Sequence, residues 1–523
     1  MLHALELENF KAFGKRTRIP FAPITLIFGE NSAGKSTILQ ALNLLKQTRE
    51  SRDTGALLLP RIENGIVDLG SFQEMIFDHD LKRTLSIRVE IIIDNDIVQL
   101  PYKENKIAIE FNFKRPSLKE EVILDQIGVY EAKSSECIAE FRLSGKTLDK
   151  TGMFYFHGVS PSKIAAAECI WLTKEAKYWK PEFEACKEYK EHILEKLKEN
   201  LKNFQHSAQE FEKNDKKNDN KSYREFLRKD LNDEIVFLSS DFDLETYISK
   251  RHKEETNTVL GVQGFITVGT AYVPTLRERI HYEPLSTFHI ADLTTATCGT
   301  LQRTLENLFP MSPFRRPPER WYIFTGTTPQ DVGYQGDLLP DLLLRHPELV
   351  QETNEWLKRL DIDYELEVKS VGSDSGDLFE VRLIDTRRKE RVSVALPDVG
   401  FGVSQILPFI VQSLASEERI ISIEQPEVHV HPKLQADLGN LLAEAIKEPR
   451  QNRFIIETHS EHLILRLQRL VYKGEIKPED VSVIYVSRGP EGAKAERLHL
   501  DEEGDFIDEW PNGFFLERLR ELR

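Results

Sequence analysis

Cysteine is scarce, with four among 523 residues, and Cys137, Cys169, Cys186 and Cys298 form no C-x-x-C pair. That excludes a disulfide framework and a zinc ribbon, and it fits reduced thiols in a cytoplasmic protein. Long apolar runs are missing as well: none approaches the roughly 20 residues that a spanning helix needs. Met1-Leu2-His3-Ala4-Leu5-Glu6 lacks the basic start and apolar stretch of a secretion signal. A cytoplasmic location with no membrane partner is the expectation. Positive charge is in deficit, with 70 Lys and Arg against 86 Asp and Glu and a formal net charge of −16. That argues against a surface coated for nucleic acid, whereas a local basic groove remains open. No repeat of fixed period is present. What remains is 40% apolar and 30% charged, a soluble composition able to form about two or three folded units.

The most informative stretch is Gly29-Glu30-Asn31-Ser32-Ala33-Gly34-Lys35-Ser36-Thr37. It follows the apolar run Pro23-Ile24-Thr25-Leu26-Ile27-Phe28 and leads into Ile38-Leu39-Gln40-Ala41-Leu42. Strand, glycine loop and helix with the spacing G-x-x-x-x-G-K-S predict a phosphate-binding loop. Gly29 and Gly34 permit a tight turn in which successive N–H groups converge on phosphate oxygens, and the helix N-terminus adds to that field. In such a loop Lys35 reaches the β- and γ-phosphates, and the Ser36 hydroxyl is placed to ligate Mg²⁺.

Around this loop the first part of the chain alternates like strands over 2–8, 17–21, 84–93, 106–113 and 136–143. Val67 to Glu74 forms a turn-rich element. Composition shifts near Ala165, and from Lys174 to Lys229 the chain is dense in Lys and Glu. There Cys186, Tyr189, Ile193, Leu197, Leu201 and Phe204 recur at three- and four-residue steps, the narrow stripe of a helical pair, with a polar tip over 212–221. Further helices are expected over 287–309 and 338–358, and strands over 364–370 and 378–385. Phe314 to Trp321 is a loop, because Pro317-Pro318 excludes helix. Within it Arg315, Arg316 and Arg320 are candidates for pairing with phosphate or a neighbouring carboxylate, or for a plain surface role. Three regions are thus expected: 1–165 as the N-terminal half of a nucleotide-binding head, 166–312 as a mainly helical insertion, and 313–523 as the C-terminal half of the head.

That second half has its own marks. Arg419-Ile420-Ile421-Ser422-Ile423-Glu424 reads as a buried strand that delivers a carboxylate at its C-terminal end, the edge that faces a phosphate loop in a parallel sheet. Glu424 can then hold a water of the Mg²⁺ shell. A second buried strand, Arg453 to Glu457, ends in Thr458-His459-Ser460, placing His459 where it can sense a γ-phosphate.

Taken together, Asn9-Phe10-Lys11, the phosphate loop, Val399-Gly400-Phe401-Gly402-Val403-Ser404-Gln405, Ile423 to Pro432 and Glu457-Thr458-His459-Ser460 resemble the ABC-type ATPase heads of the SMC/Rad50/RecF group. Within that group the chain is most similar to the ATPase part of OLD-type (overcoming lysogenization defect) proteins. Its closing stretch, Ile507 to Phe515, resembles a tail of one branch of their relatives. The resemblance implies an α/β P-loop head, a mixed sheet plus an antiparallel subdomain, with an inserted helical region. It implies ATP and Mg²⁺ as ligands, with Lys11 near the nucleotide, Gly29, Glu30, Asn31, Ser32, Ala33, Gly34, Lys35, Ser36 and Thr37 around the phosphates, and Gln73 as a further Mg²⁺ contact. Gly400, Gly402 and Ser404 would form the signature loop that closes over the γ-phosphate held by a second protomer. Val428 to Pro432 would lie at the dimer interface, and His459 would be the switch histidine. A homodimer or higher oligomer with composite ATP sites follows from the same resemblance.

Two departures stand out. The signature loop lacks the Leu-Ser-Gly-Gly order of the group, which leaves Gly402 and Ser404 both as candidate phosphate contacts. After Glu424 comes Gln425, where most relatives carry the glutamate that orients the attacking water. A glutamine can hydrogen-bond water but cannot take its proton, and loss of a general base costs about 10²–10⁴ in rate. Glu427 is the candidate substitute. Slow turnover is the expectation. The Toprim nuclease of many OLD-type proteins is not expected here: too few residues follow His459, and Asp361-Ile362-Asp363 reads as a turn. His429 and His431 alternate with apolar residues, as in interface packing rather than a metal pair. The resemblance points to control of a separately encoded effector, a nuclease in anti-phage defence. The alternative is a DNA-binding clamp in repair; a transporter subunit is disfavoured by the long insertion between the phosphate and signature loops.

Overall fold

The computed structural model describes residues 1–51, 57–93, 105–117, 121–132, 136–147 and 165–172, scattered helical positions from 183 to 202, 232–271 with short breaks, and 290–511 except 325, 372–376 and 388. Two sheets position the site. The first has nine antiparallel strands: β1 (Leu2–Glu8), β2 (Thr17–Pro20), β4 (Leu85–Ile92), β5 (Lys106–Lys114), β6 (Ile123–Glu131), β7 (Cys137–Thr147), β8 (Ala165–Leu172), β9 (Val259–Gln263) and β10 (Ile266–Ala271). Their order is β10-β9-β8-β7-β6-β5-β4-β1-β2. The second has six strands: β3 (Ile24–Gly29), β11 (Leu308–Met311), β16 (Ile420–Glu424), β17 (Arg453–Glu457), β18 (Val481–Gly489) and β19 (Gly492–Leu498). It runs β11-β16-β17-β3-β18-β19, parallel throughout except for the edge strand β19. A smaller antiparallel sheet of β12 (Tyr322–Ile323), β13 (Tyr364–Ser370), β14 (Leu378–Asp385) and β15 (Ser393–Ala395) flanks the C-terminal half.

The parallel sheet divides two apolar cores, and the two-residue period of β3 shows how. Ile24, Leu26 and Phe28 face the layer built by the C-terminal helices, whereas Ile27 faces the layer of the nine-stranded sheet. The helix Lys35–Glu50 lies on the second face, burying Ile38, Leu39, Ala41, Leu42, Leu44 and Leu45 there. The closing tail reaches the opposite face of β3: the Trp510 ring meets Phe28 edge-on at 5.7 Å and Phe506 at 4.9 Å. Aromatic pairs of this geometry add about 0.5–1.5 kcal/mol beyond the area they bury. Trp510 therefore packs against the strand that carries the phosphate loop.

Several elements differ from the expectation. Residues 166–312 include β9, β10 and most of β8, which extend the nine-stranded sheet, besides the helices Leu244–Glu255 and Ile290–Glu306. Short segments such as Val259–Gln263 carry too few residues to show a period beside the charged helical pattern upstream. The apolar stripe at Cys186, Tyr189, Ile193, Leu197, Leu201 and Phe204, and the tip over 212–221, lie outside the described residues. The helix expected over 338–358 is two, Leu339–Arg345 and Pro347–Arg359, because Pro347 disfavours helical geometry at His346, whose ψ is 76°. The helix expected over 287–309 ends at Glu306, and β11 begins at Leu308. Among the described residues no helix is long and apolar enough to cross a membrane.

Candidate nucleotide-binding site

Strand order places the chemistry. β17 lies between β3 and β16, all three parallel, so the phosphate loop, Glu457-Thr458-His459 and Glu424 emerge from one edge of one sheet. An open cleft of about 610 Å³ lies there, lined among others by Lys11, Ser32, Gly34, Lys35, Ser36, Thr37, Glu74, Asp78, His79 and Glu457.

The loop has the backbone its sequence demands. Gly29 has φ +141°, and a Cβ there would stand 2.0 Å from the Val486 carbonyl oxygen. Gly34 has φ +109° and begins the helix, and a Cβ there would approach that of Ala12 to 2.6 Å. Only glycine satisfies both constraints at either position. The Lys35 ammonium donates to the carbonyls of Gly29 at 3.2 Å and Glu30 at 2.8 Å, which folds it back across the loop mouth. Burial lowers its pKa, opposed by the charge of Glu457. Lys11, with φ 48°, is held by its N–H to the Met75 carbonyl at 2.6 Å and contributes its side chain to the cleft.

The acidic side of the site is desolvated. Glu424 and Glu457 are register partners at the ends of β16 and β17. Burial, then the charge of Glu457, pushes Glu424 up to about 7. Burial raises Glu457 as well, opposed by the Ser36 hydroxyl beside it and by Lys35. Burial and the nearby Lys35 charge lower His459, which favours neutral imidazole. Gln425 has left-handed φ 47° and donates its N–H to the Glu457 carbonyl at 2.7 Å, so the chain turns sharply straight after Glu424. Glu427 is carried back beneath β17, where its Oε1 accepts the His459 N–H at 2.6 Å. Its other oxygen is buried without a partner. Nearby Arg315, only 6% exposed, donates Nη1–H to the Pro313 carbonyl at 3.0 Å and leaves Nε and Nη2 unpaired. Burial lowers that guanidinium to about 10, and Glu427 counters the shift. Of the other two arginines, Arg316 pairs with Glu319 at 2.6 Å, and Arg320 grips Asp398 with two bonds of 2.8 and 2.7 Å.

Of the sequence-derived residues, Glu424, Gln425, Glu427, His459, Gln73, Gly400, Gly402 and Ser404 are not in the cleft lining. Gly400, Gly402 and Ser404 begin the helix Phe401–Ala415, whose first turn has no side-chain cap. Gly402 packs so closely that a Cβ would lie 2.6 Å from the His429 carbonyl oxygen, whereas a Cβ at Gly400 would meet nothing within 4 Å. Ser404 donates to the Phe401 carbonyl at 2.9 Å. Phe401 is itself 53% exposed, with its ring edge-on to His429 at 5.0 Å. His431 accepts the Lys433 N–H at 3.3 Å as a helix cap, and no group of three His, Cys, Asp or Glu side chains able to hold a metal occurs among the described residues. Gln73 is exposed on the short helix Phe72–Met75, and its carbonyl contacts His79 Nδ1 at 2.7 Å. Its neighbour Glu74 is the one that reaches the cleft. Glu74, His79 and Glu457 escaped sequence reasoning. For Glu457 a signal existed: it ends a buried strand just as Glu424 does.

The residues fit the nucleotide and cation that such a loop implies. The glycine cradle has no room for Cβ atoms, and a buried Glu457 oxygen without a hydrogen-bond partner sits beside the Ser36 hydroxyl. A family model described as AAA ATPase domain matches residues 1–273 and 340–464. The chain belongs to this family. An ATPase of this kind uses nucleotide, generally with Mg²⁺, and the fold is a mixed α/β P-loop head. A second model, described as a protein of unknown function (DUF3696), matches residues 476–523. Among solved structures, the Smc head domain with an extended coiled coil from Pyrococcus furiosus, bound to the C-terminal domain of ScpA, is 13% identical, with 100% of this chain and 99% of that one covered and a TM-score of 0.38. The SMC head domain from Thermotoga maritima is 10% identical over 95% of this chain and 99% of that one, with a TM-score of 0.36. At such scores the likeness carries no weight beside the strand order. No curated protein matches the chain.

Proposed function

We propose that the protein is an ABC-type ATPase of the OLD kind that dimerises on ATP, hydrolyses it slowly and controls a separately encoded effector, a nuclease in anti-phage defence. The observation that carries dimerisation is a separation: the phosphate loop, Glu424 and Glu457 stand at one sheet edge, whereas the helix start at Gly400, which has no side-chain cap, belongs to another element and does not line the cleft of the phosphate loop. A helix N-terminus without a side-chain cap favours an anion. The γ-phosphate of a second protomer supplies one. In this arrangement the loop from Gly29 to Thr37 and Lys11 bind the nucleotide, and Ser36 and Glu424 hold Mg²⁺, with Gln73 reaching it only if its short helix moves. The cation supplies neutralisation of phosphate charge. Gln425 orients a water, and His459 lies beside the γ-phosphate position.

The effector and its setting rest on the sequence resemblance alone. The deciding experiment is purification from the native host with its genomic neighbours, with and without ATP. ATP-dependent capture of a nuclease supports the assignment. Retention of duplex DNA with no protein partner, lost at raised salt, supports the repair clamp instead.

A further inference from the structure

Glu457 holds a position that neither the phosphate loop nor the acid of β16 accounts for. It ends the strand between them, lines the cleft and is 4% exposed. Its Oε2 is buried and has no hydrogen-bond partner. An unpaired buried carboxylate oxygen is costly, and such a group persists where a partner arrives. Lys35, whose charge acts on it, makes no hydrogen bond to that oxygen, and its ammonium donates to the Gly29 and Glu30 carbonyls. Two other oxygen ligands stand beside it: the Ser36 hydroxyl, and Glu424 across the β16–β17 register. Mg²⁺ is commonly held by one or two carboxylates, with waters and substrate phosphates completing its shell. A single carboxylate leaves most of the cation's charge to the nucleotide, whereas two can oppose it before any phosphate is present.

We propose that Glu457 is a second carboxylate ligand of the divalent cation, so that Ser36, Glu424 and Glu457 form a site that takes Mg²⁺ or Mn²⁺ ahead of nucleotide. This rests on the cleft being the ATP site. The register makes Glu457 the bridge between loop and acid: it contacts the Ser36 side and shares its strand end with Glu424. The cation then arrives before ATP and presents a positive centre to the incoming phosphates, instead of being carried in by them.

The test is titration of the full-length, nucleotide-free chain with Mn²⁺, followed by the loss of the free-ion electron paramagnetic resonance signal. One Mn²⁺ per chain is expected for the wild type, with affinity at least about tenfold weaker in Glu457→Gln. Equal affinity in the two proteins, or no Mn²⁺ bound by the wild type, overturns the inference. Glu457→Asp, which keeps the charge on a shorter arm, covers a glutamine variant that fails to fold: weakened binding supports the site and unchanged binding refutes it. A fluorescent ATP analogue in EDTA separates the two levels. If the wild type binds it while Mn²⁺ affinity ignores Glu457, only this inference falls. If the wild type binds no nucleotide under any condition, the assignment of the cleft falls with it.

Discussion

Glu427 accepts the main-chain N–H of His459 through Oε1 at 2.6 Å, tying the turn after β16 to the end of β17. One carboxylate oxygen is thereby bonded to the chain, and the other is buried without a hydrogen-bond partner, with the charge of Arg315 nearby. A role in fixing His459 is the expectation. Glu427→Gln retains an acceptor oxygen and keeps turnover within a few-fold of wild type. Glu427→Ala strands a buried N–H, costs about 1–3 kcal/mol in thermal or denaturant unfolding, and lowers turnover. Turnover abolished in Glu427→Gln at unchanged stability would instead identify Glu427 as the base.

Gln425 occupies the position after the β16 acid, with its left-handed backbone already set by the turn. Gln425→Glu changes the chemistry at nearly constant shape. Steady-state phosphate release is expected to rise by about 10²-fold, the lower end of what a general base contributes. An unchanged rate would mean that water is activated elsewhere.

Gly29 stands against Val486 so closely that a Cβ would lie 2.0 Å from its carbonyl oxygen, at a φ that L-residues avoid. Gly29→Ala therefore loses nucleotide binding and destabilises the head by about 2–4 kcal/mol, because neither backbone can yield inside the sheet. Calorimetric titration with an ATP analogue, paired with thermal unfolding, measures both effects.

The raised pKa of Glu424, about 7, gives a signed pH dependence. Between its ordinary range and about 7 the folded chain holds a proton that the unfolded chain has released, so nucleotide-free stability falls as pH rises through that window. Glu457 is shifted in the same direction by burial, and His459, lowered, contributes with the opposite sign. Removing the charge in Glu424→Gln isolates the first contribution. The wild-type minus variant difference in melting temperature should decline from pH 5 to pH 7, while the stabilisation by Mg²⁺-nucleotide, which needs the ionised form, grows.

Much of this site is legible in the residues themselves. Strand, glycine loop and helix around Gly29–Thr37 are local features, and so are the apolar runs that deliver Glu424 and His459. What the sequence does not carry is which strands are neighbours. Glu457 becomes a site residue only because β17 inserts between β3 and β16. His79 reaches the cleft through a turn in which Asp78 and His79 both adopt positive φ, a conformation with no periodic signature, and Glu74 does so from the four-residue helix before it. The same limit explains β9 and β10, whose pairing with distant strands outweighs a short and ambiguous local pattern.

In the proposed dimer one chain supplies the phosphate loop and another the signature helix. Gly400→Arg tests it with little cost to the single chain, since a Cβ there meets nothing within 4 Å. The measurement is mass by sedimentation velocity, with and without ATP and Mg²⁺, alongside nucleotide binding. The wild type should double its mass with ATP, whereas Gly400→Arg should bind nucleotide normally and stay monomeric, and Lys35→Ala should do neither. A wild type that binds ATP and remains a monomer, or a Gly400→Arg variant that dimerises like wild type, would contradict the account.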